Sequence, residues 1–297
     1  MAAPTTNTGE SPEKTLTEID EQPHNLLRRN FLYRFPWWAL FLILAGIWIA
    51  FGIAANEIYS NIFVQLQEGI AMTLRVSALS YIFAFFIGLL VGIIRSSVPK
   101  PAPGFAGSVL SLVHLALYNL ATLFVMIMRG LPILIVLLIF AFVIVPAVRT
   151  YLATNFGIEL NIRGSSPESA IVALAFTYGA FLSETVRAGI QSIDKGQIEA
   201  ARSLGMNYPL TLRYIVLPQA IRRVLPPLGN DFVAIIKDSS LVAILGVNDL
   251  TQIAKISSGA SFRYLETYTT VALIYLSMTI VGSLFVRYVE RRVNRHS

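Results

Sequence analysis

Seven long, almost purely apolar stretches dictate what this chain can become: residues 37–55, 69–94, 109–128, 131–148, 169–190, 227–247 and 267–286. A helix needs about 20 such residues to cross the hydrocarbon core of a bilayer. Only 13% of the chain is charged and 55% is hydrophobic, whereas soluble domains carry about a quarter charged residues. The chain therefore reads as an all-α integral membrane protein. Its first apolar block follows a polar lead and is longer than a signal-peptide core, so it reads as a retained transmembrane helix.

Parity and charge decide how many blocks cross. Arg28, Arg29 and Arg34 precede the first block. Arg95 and Lys100 follow the second; Lys195, Arg202, Arg213, Arg222 and Arg223 crowd residues 191–226; Arg287, Arg291, Arg292 and Arg295 follow the last. Positive charge collects on the cytoplasmic side. All four basic regions fall on that side only if blocks 109–128 and 131–148 together make one crossing. Arg129 and Gly130 alone separate them, too little for a comfortable hairpin. Residues 109–128, with His114 and Asn119, then lie partly in the inner interface. The expectation is about six transmembrane helices with both termini cytoplasmic. Residues 1–35 are a polar cytoplasmic tail, 36–68 an extra first helix and external loop, 69–290 the main transmembrane domain, and 291–297 a basic cytoplasmic tail. Residues 149–168 and 248–266 are external, and the latter carries helical patterning.

Several chemistries are excluded. There is no cysteine, so thiolate metal sites and disulfides are out. Three histidines lie far apart in sequence. The phosphate-cradling pattern G-x-x-x-x-G-K-[ST] is absent, and no repeat of 20 to 50 residues is visible. Aromatic residues gather at block ends, as interfacial anchors do, and supply no stacking platform for nucleic acid.

The polar stretch QIEAARSLGMNYPLTLRYIVLP at 197–218 stands out against this background. Gln197 to Leu204 are good helix formers, and Glu199 and Arg202, three apart, share a helix face. Gly205 sits where a helix takes a left-handed stop. Pro209 suits the first turn of a second helix, which Leu217-Pro218 would end. Two short, angled helices with small residues Ala200 and Ala201 make a knuckle shaped for docking into a groove of another protein; the plain alternative is an amphipathic loop.

The pattern Glu199-Ala200-Ala201, three residues, Gly205, nine residues, Ile215, one residue, Leu217-Pro218 resembles the EAA signature of bacterial ABC-importer permeases. GIAMTLRVSALS (69–80), MRGLPILIVLL (128–138), AFLSETVRAGIQSIDKGQIEAARSLG (180–205) and KDSSLVAILGVNDL (237–250) are similar, in the same order, to segments of the polar-amino-acid, histidine/glutamine-type subfamily. Leu131 stands where Thr is usual, and residues 1–68 lie outside the shared five-helix core. The resemblance implies a multi-pass permease of the bacterial plasma membrane. It implies two cytoplasmic ABC ATPase subunits that hold ATP and Mg, so this chain binds no cofactor directly and is not itself an enzyme. It also implies a second permease subunit, an external substrate-binding protein and an amino-acid substrate. The long N-terminal extension favours a related second permease slightly over an identical copy. Residues 194–226 become the coupling loop, with Gln197, Glu199, Ala200, Ala201, Gly205, Leu217 and Pro218 facing the ATPase.

Ionisable groups inside spans are costly and mark function. Thr73 and Arg75 lie in the 69–94 block, where Arg75 would meet a substrate carboxylate, snorkel, or pair with Glu68. Lys237-Asp238-Ser239-Ser240 falls midway along 227–247; Asp and Ser are helix N-cap residues, and a broken helix there would aim N–H groups at a pathway, or tie this crossing to a neighbour. Glu184 and Arg187, three apart, would pair with each other, or Glu184 would read a substrate ammonium. Arg129 and Pro132 mark a helix start or a gating element. The competing function is a self-sufficient secondary transporter or channel, which has no need of the 197–218 knuckle.

Overall fold

The computed structural model describes residues 55–101 and 103–294, with a scatter of positions between 37 and 52; the tails at 1–35 and 295–297 lie outside the described residues. The chain divides into Met1–Asn56 and Glu57–Ser297. In the first unit, the described positions of the first apolar block are helical. The second unit is a helical bundle, and no strand occurs among the described residues.

Nine helices make up that bundle among the described residues: α1 Glu57–Ser96, α2 Phe105–Gly130, α3 Ile133–Phe156, α4 Pro167–Gln191, α5 Lys195–Ser203, α6 Tyr208–Thr211, α7 Leu217–Asp238, α8 Leu250–Ser261 and α9 Tyr264–Asn294. Helices α1, α2, α3, α4 and α9 are each long and apolar enough to cross a membrane. At 40 residues, α1 is about 60 Å long, twice the hydrocarbon thickness. Residues 57–68, expected as an external loop, are its first turns.

Helices α1 and α4 form the central pair. Small residues repeat every four positions on both: Ala84, Gly88 and Gly92 on α1, Ala175, Gly179 and Ser183 on α4. This is the small-xxx-small pattern that lets transmembrane backbones approach closely. A Cβ at Gly88 would stand 2.6 Å from the Leu182 Cβ, and one at Gly92 would stand 2.8 Å from the Ser183 carbonyl oxygen. Helix α9 closes on α7 at Gly229, beside Val286. Helix α8 docks on α1 where Gly69 meets the backbone of Leu250.

Helix α2 departs from its expected extent. It is one continuous helix of 26 residues, longer than the 109–128 block and long enough to cross alone. Its two buried residues, Ala121 and Val125, lie in its second half. The Arg95 Nε donates to the Thr122 hydroxyl at 3.3 Å, which places residue 122 beside the end of α1. Farther on, Phe124 meets Phe176, and Arg129 lies over the Phe181 ring of α4.

One expectation about proline fails, and a second proline shows the same physical reason. Leu217-Pro218 does not end the second knuckle helix; the chain passes through a π turn, Leu212–Val216, and continues as α7. Pro146 in α3 likewise follows a π turn, Phe140–Ile144. A proline ring clashes with the carbonyl four residues back, and the wider π turn moves that carbonyl aside. Block 227–247 is therefore no single span either. Its helix starts ten residues earlier, at Leu217, and gives way at Asp238 to a 3₁₀ segment, Ser239–Leu245.

Candidate functional site: a capped knuckle and the polar break in α7

The knuckle at residues 194–216 is fixed at every turn. The Asp194 side chain caps α5 by accepting the Gly196 N–H at 2.7 Å. At its other end Gly205 takes φ 81°. The Gly205 N–H bonds to the Arg202 carbonyl and the Met206 N–H to that of Ala201, at 2.9 and 3.1 Å. This paired closure is the Schellman form of helix stop. Asn207 then caps α6 by accepting the Leu210 N–H at 3.1 Å. Proline 209 occupies the first turn of α6, as its missing N–H allows.

The knuckle also has a small core. Ile193, Val216 and Ala220 are buried together, with Ile190 and Ile198 packed against them. The Gln219 side chain donates to Gln197 Oε1 at 2.6 Å, joining α7 to α5. The Arg223 guanidinium donates to the Ser192 carbonyl. Ala201 is buried, whereas Glu199, Ala200, Leu217 and Pro218 are exposed. Glu199 and Arg202 do not form an ion pair; the ion pairs among the described residues centre on Glu184. At the turn, Leu204 is 83% exposed, a bare apolar side chain on a stiff mount.

Behind the knuckle, Glu184 pairs with Arg187 on α4, as expected, and also with Arg95 at 2.8 Å. Arg95 comes from α1, 89 residues away in sequence, so the second partner was not legible from spacing. Gln191 extends the linkage. It accepts from Arg187 at 2.5 Å and donates to the Ser96 carbonyl at 3.2 Å. The ends of α1 and α4 and the start of α7 are thus tied to the knuckle's base.

Farther along the bundle, the Tyr178 hydroxyl donates to Asp238 Oδ2 at 2.7 Å. Tyr81 donates to the Leu228 carbonyl at 2.9 Å. Both tyrosines sit inside apolar blocks, which hid them from a search for charged residues. The break at Asp238 differs in polarity from the expected one. Asp238 ends a helix rather than capping a new one, and the Ser239 hydroxyl donates back to the Ile236 carbonyl at 2.8 Å. The chain does not open there: the Ser239 N–H bonds to the Ile235 carbonyl and the backbone runs directly on into the 3₁₀ segment. Lys237 is exposed, Ser239 buried and Ser240 half-buried. Thr73 is fully buried and accepts the Leu250 N–H at 3.1 Å, fastening α8 to α1. Arg75 is exposed, near Glu168 of α4, and is not ion-paired with Glu68.

Close to Thr73, Asp249 caps α8 by accepting the Gln252 N–H at 2.8 Å, and it is 1% exposed. Burial pushes its carboxyl up to about 6, against the opposing pull of the Gln252 and Thr251 N–H groups.

Comparison with known proteins gives the chain its family. Residues 101–295 match the family described as binding-protein-dependent transport system inner membrane component. The chain is 34% identical over 233 residues to a probable glutamine ABC transporter permease protein of Bacillus subtilis, covering 78% of this chain and 95% of that one. It is 36% identical to a glutamine transport system permease protein of Escherichia coli, covering 77% and 92%. A solved structure described as an amino acid ABC transporter with histidines superposes with a TM-score of 0.61 at 33% identity, over 79% of this chain and 95% of that chain.

Proposed function

The chain belongs to the binding-protein-dependent transport inner-membrane family, and from that premise we propose that it is the permease subunit of an ATP-driven importer of polar amino acids. Glutamine appears in the names of two of the relatives. In this reading the knuckle end of the bundle faces the cytoplasm, where its arginines belong. A separate pair of ATPase subunits holds ATP and Mg, and a second permease subunit completes the pathway. An external binding protein delivers the substrate.

The observation that carries the reading is the stiffness of the knuckle. Coupling by domain motion requires that force on one element move another as a rigid body. Caps at Asp194, Gly205 and Asn207 hold the knuckle's shape. The Gln197–Gln219 and Arg223–Ser192 bonds join it to α7. The Glu184 linkage joins its base to α1 and α4. A pull on Leu204 therefore reaches the bundle without being absorbed by a soft loop. Along the pathway, Asp238 and Tyr178 supply polar groups for a passing substrate.

Reconstitution tests this. Liposomes holding the chain with its co-purifying subunits should take up labelled L-glutamine only when ATP is enclosed with the ATPase. Gly205→Val forces a branched residue into the left-handed region; uptake should fall about tenfold or more while membrane insertion is unchanged. Uptake driven by the purified chain alone would instead support a self-sufficient carrier and contradict the proposal.

A further inference from the structure

A cavity of about 450 Å³ opens between α1 and α8, lined by Gln65, Glu68, Met72, Asn248, Ile253 and Ile256. It lies at the end of the bundle remote from the knuckle. Glu68 is 27 positions before Arg95 on one helix, a distance of about 40 Å, longer than the hydrocarbon core is thick. Resting on the importer reading above, which makes this the side where substrate arrives, we infer that this cavity is an entry subsite for a zwitterionic α-amino acid.

The lining supplies complementary groups for both charges. Gln65 and Glu68 are three apart on α1, so they stand side by side on one face, about 5–6 Å apart at their Cβ atoms. That spacing suits the ammonium and carboxylate of one α-carbon. The Glu68 carboxylate accepts from the ammonium; it has no ion-pair partner among the described residues. Gln65 is oriented by the Ser257 hydroxyl of α8, which donates to its Oε1 at 2.8 Å. Its amide nitrogen is thereby left to donate toward a carboxylate, and the Asn248 amide lines the same space. Met72, Ile253 and Ile256 form an apolar wall for the side chain. The volume lies in the range of small-molecule sites.

The wall is also anchored. Gly69 brings α1 against the backbone of Leu250, and Thr73 accepts the Leu250 N–H. The faces carrying Glu68 and Asn248 are held in register before any ligand arrives, which lowers the ordering cost of binding.

The chain has no native cysteine, so Ile256→Cys gives it a single labelling site in the wall. In the purified complex, without binding protein, millimolar L-glutamine should slow labelling by a membrane-impermeant maleimide at least threefold. N-acetyl-L-glutamine, which lacks the ammonium, and L-glutamine α-amide, which lacks the carboxylate, should not. Adding Glu68→Gln should raise the half-protecting L-glutamine concentration about tenfold, the scale of one charge-assisted hydrogen bond. Unchanged labelling in L-glutamine, equal protection by the blocked analogues, or full protection in Glu68→Gln would overturn the inference. ATP-driven uptake by the same preparation separates the two readings: uptake with no protection rejects the subsite and leaves the importer standing.

Discussion

Helices α2 and α4 are nearly equal in length, 26 and 25 residues, yet they occupy opposite environments. In the most apolar stretch of α4, 72% of residues are buried inside the chain; in α2 the share is 11%. The buried helix is the less hydrophobic of the two, with mean hydropathy 1.4 against 1.9. Hydropathy thus reports what a helix does to a bilayer, not whether it lies at the centre of its protein. Helix α4 tolerates Thr177, Tyr178, Ser183 and Glu184 because its own backbone satisfies the two short hydroxyls and other helices contribute partners to the other two. Each finds a hydrogen-bond partner: the Ala173 carbonyl, Asp238, the Ala180 carbonyl and the two arginines. Helix α2, with Leu110, Leu112 and Met126 each more than 60% exposed, has the surface that acyl chains or another apolar helix would cover.

That contrast breaks most sharply at the seam. Gly88→Leu should abolish recovery of folded protein, since even a Cβ there meets the Leu182 Cβ at 2.6 Å and α4 has no room to retreat. Leu112→Ala on α2 should leave the thermal midpoint of the detergent-purified chain within a degree or two. Equal damage by both, read by size-exclusion recovery, would mean that the packing of α4 is not what holds the bundle together.

A smaller effect is expected at the polar end of α4. Glu184→Gln leaves Arg95 and Arg187 facing each other without their shared carboxylate. Breaking a partly buried pair costs a few kcal/mol at most, and less where solvent screens it. Because the linkage also ties α1 and α4 to the knuckle's base, uptake should fall severalfold beyond any loss in protein yield. Uptake that tracks yield alone would reduce Glu184 to a structural role.

Much of this was legible in the sequence and some was not, for particular reasons. Gly205 announced the end of α5 because only glycine takes its backbone angles without strain. The Asp194 cap carries an equally plain signal, an Asp ahead of a helical run. The true start of α7 was hidden because hydropathy blocks stop at Arg222 and Arg223, although the helix does not. Pro218 reads as a terminator because sequence does not show a π turn that accommodates the ring. The Arg95–Glu184 and Tyr178–Asp238 contacts join residues 89 and 60 apart, and they exist only once α1, α4 and α7 are packed.

The mildest test concerns Asp249. Its folded carboxyl titrates at about 6, above the ordinary value near 3.9. Folding therefore favours the protonated form, and stability from this group is lost as pH rises from about 4 through 6. Asn also serves as an N-cap. Asp249→Asn should accordingly raise the thermal midpoint at pH 7.5 by a few degrees and bring little gain at pH 4. A gain independent of pH would place the effect elsewhere.

The central claim is that a separate ATPase grips the knuckle, and Leu204 tests it most directly. A photo-crosslinking amino acid at position 204, in the assembled complex, should yield one dominant adduct identified by mass spectrometry as the ATPase subunit. Its yield should change when ATP is added. A complex that assembles and transports while position 204 crosslinks only to lipid, or is reached by an impermeant label from outside intact cells, would contradict the account.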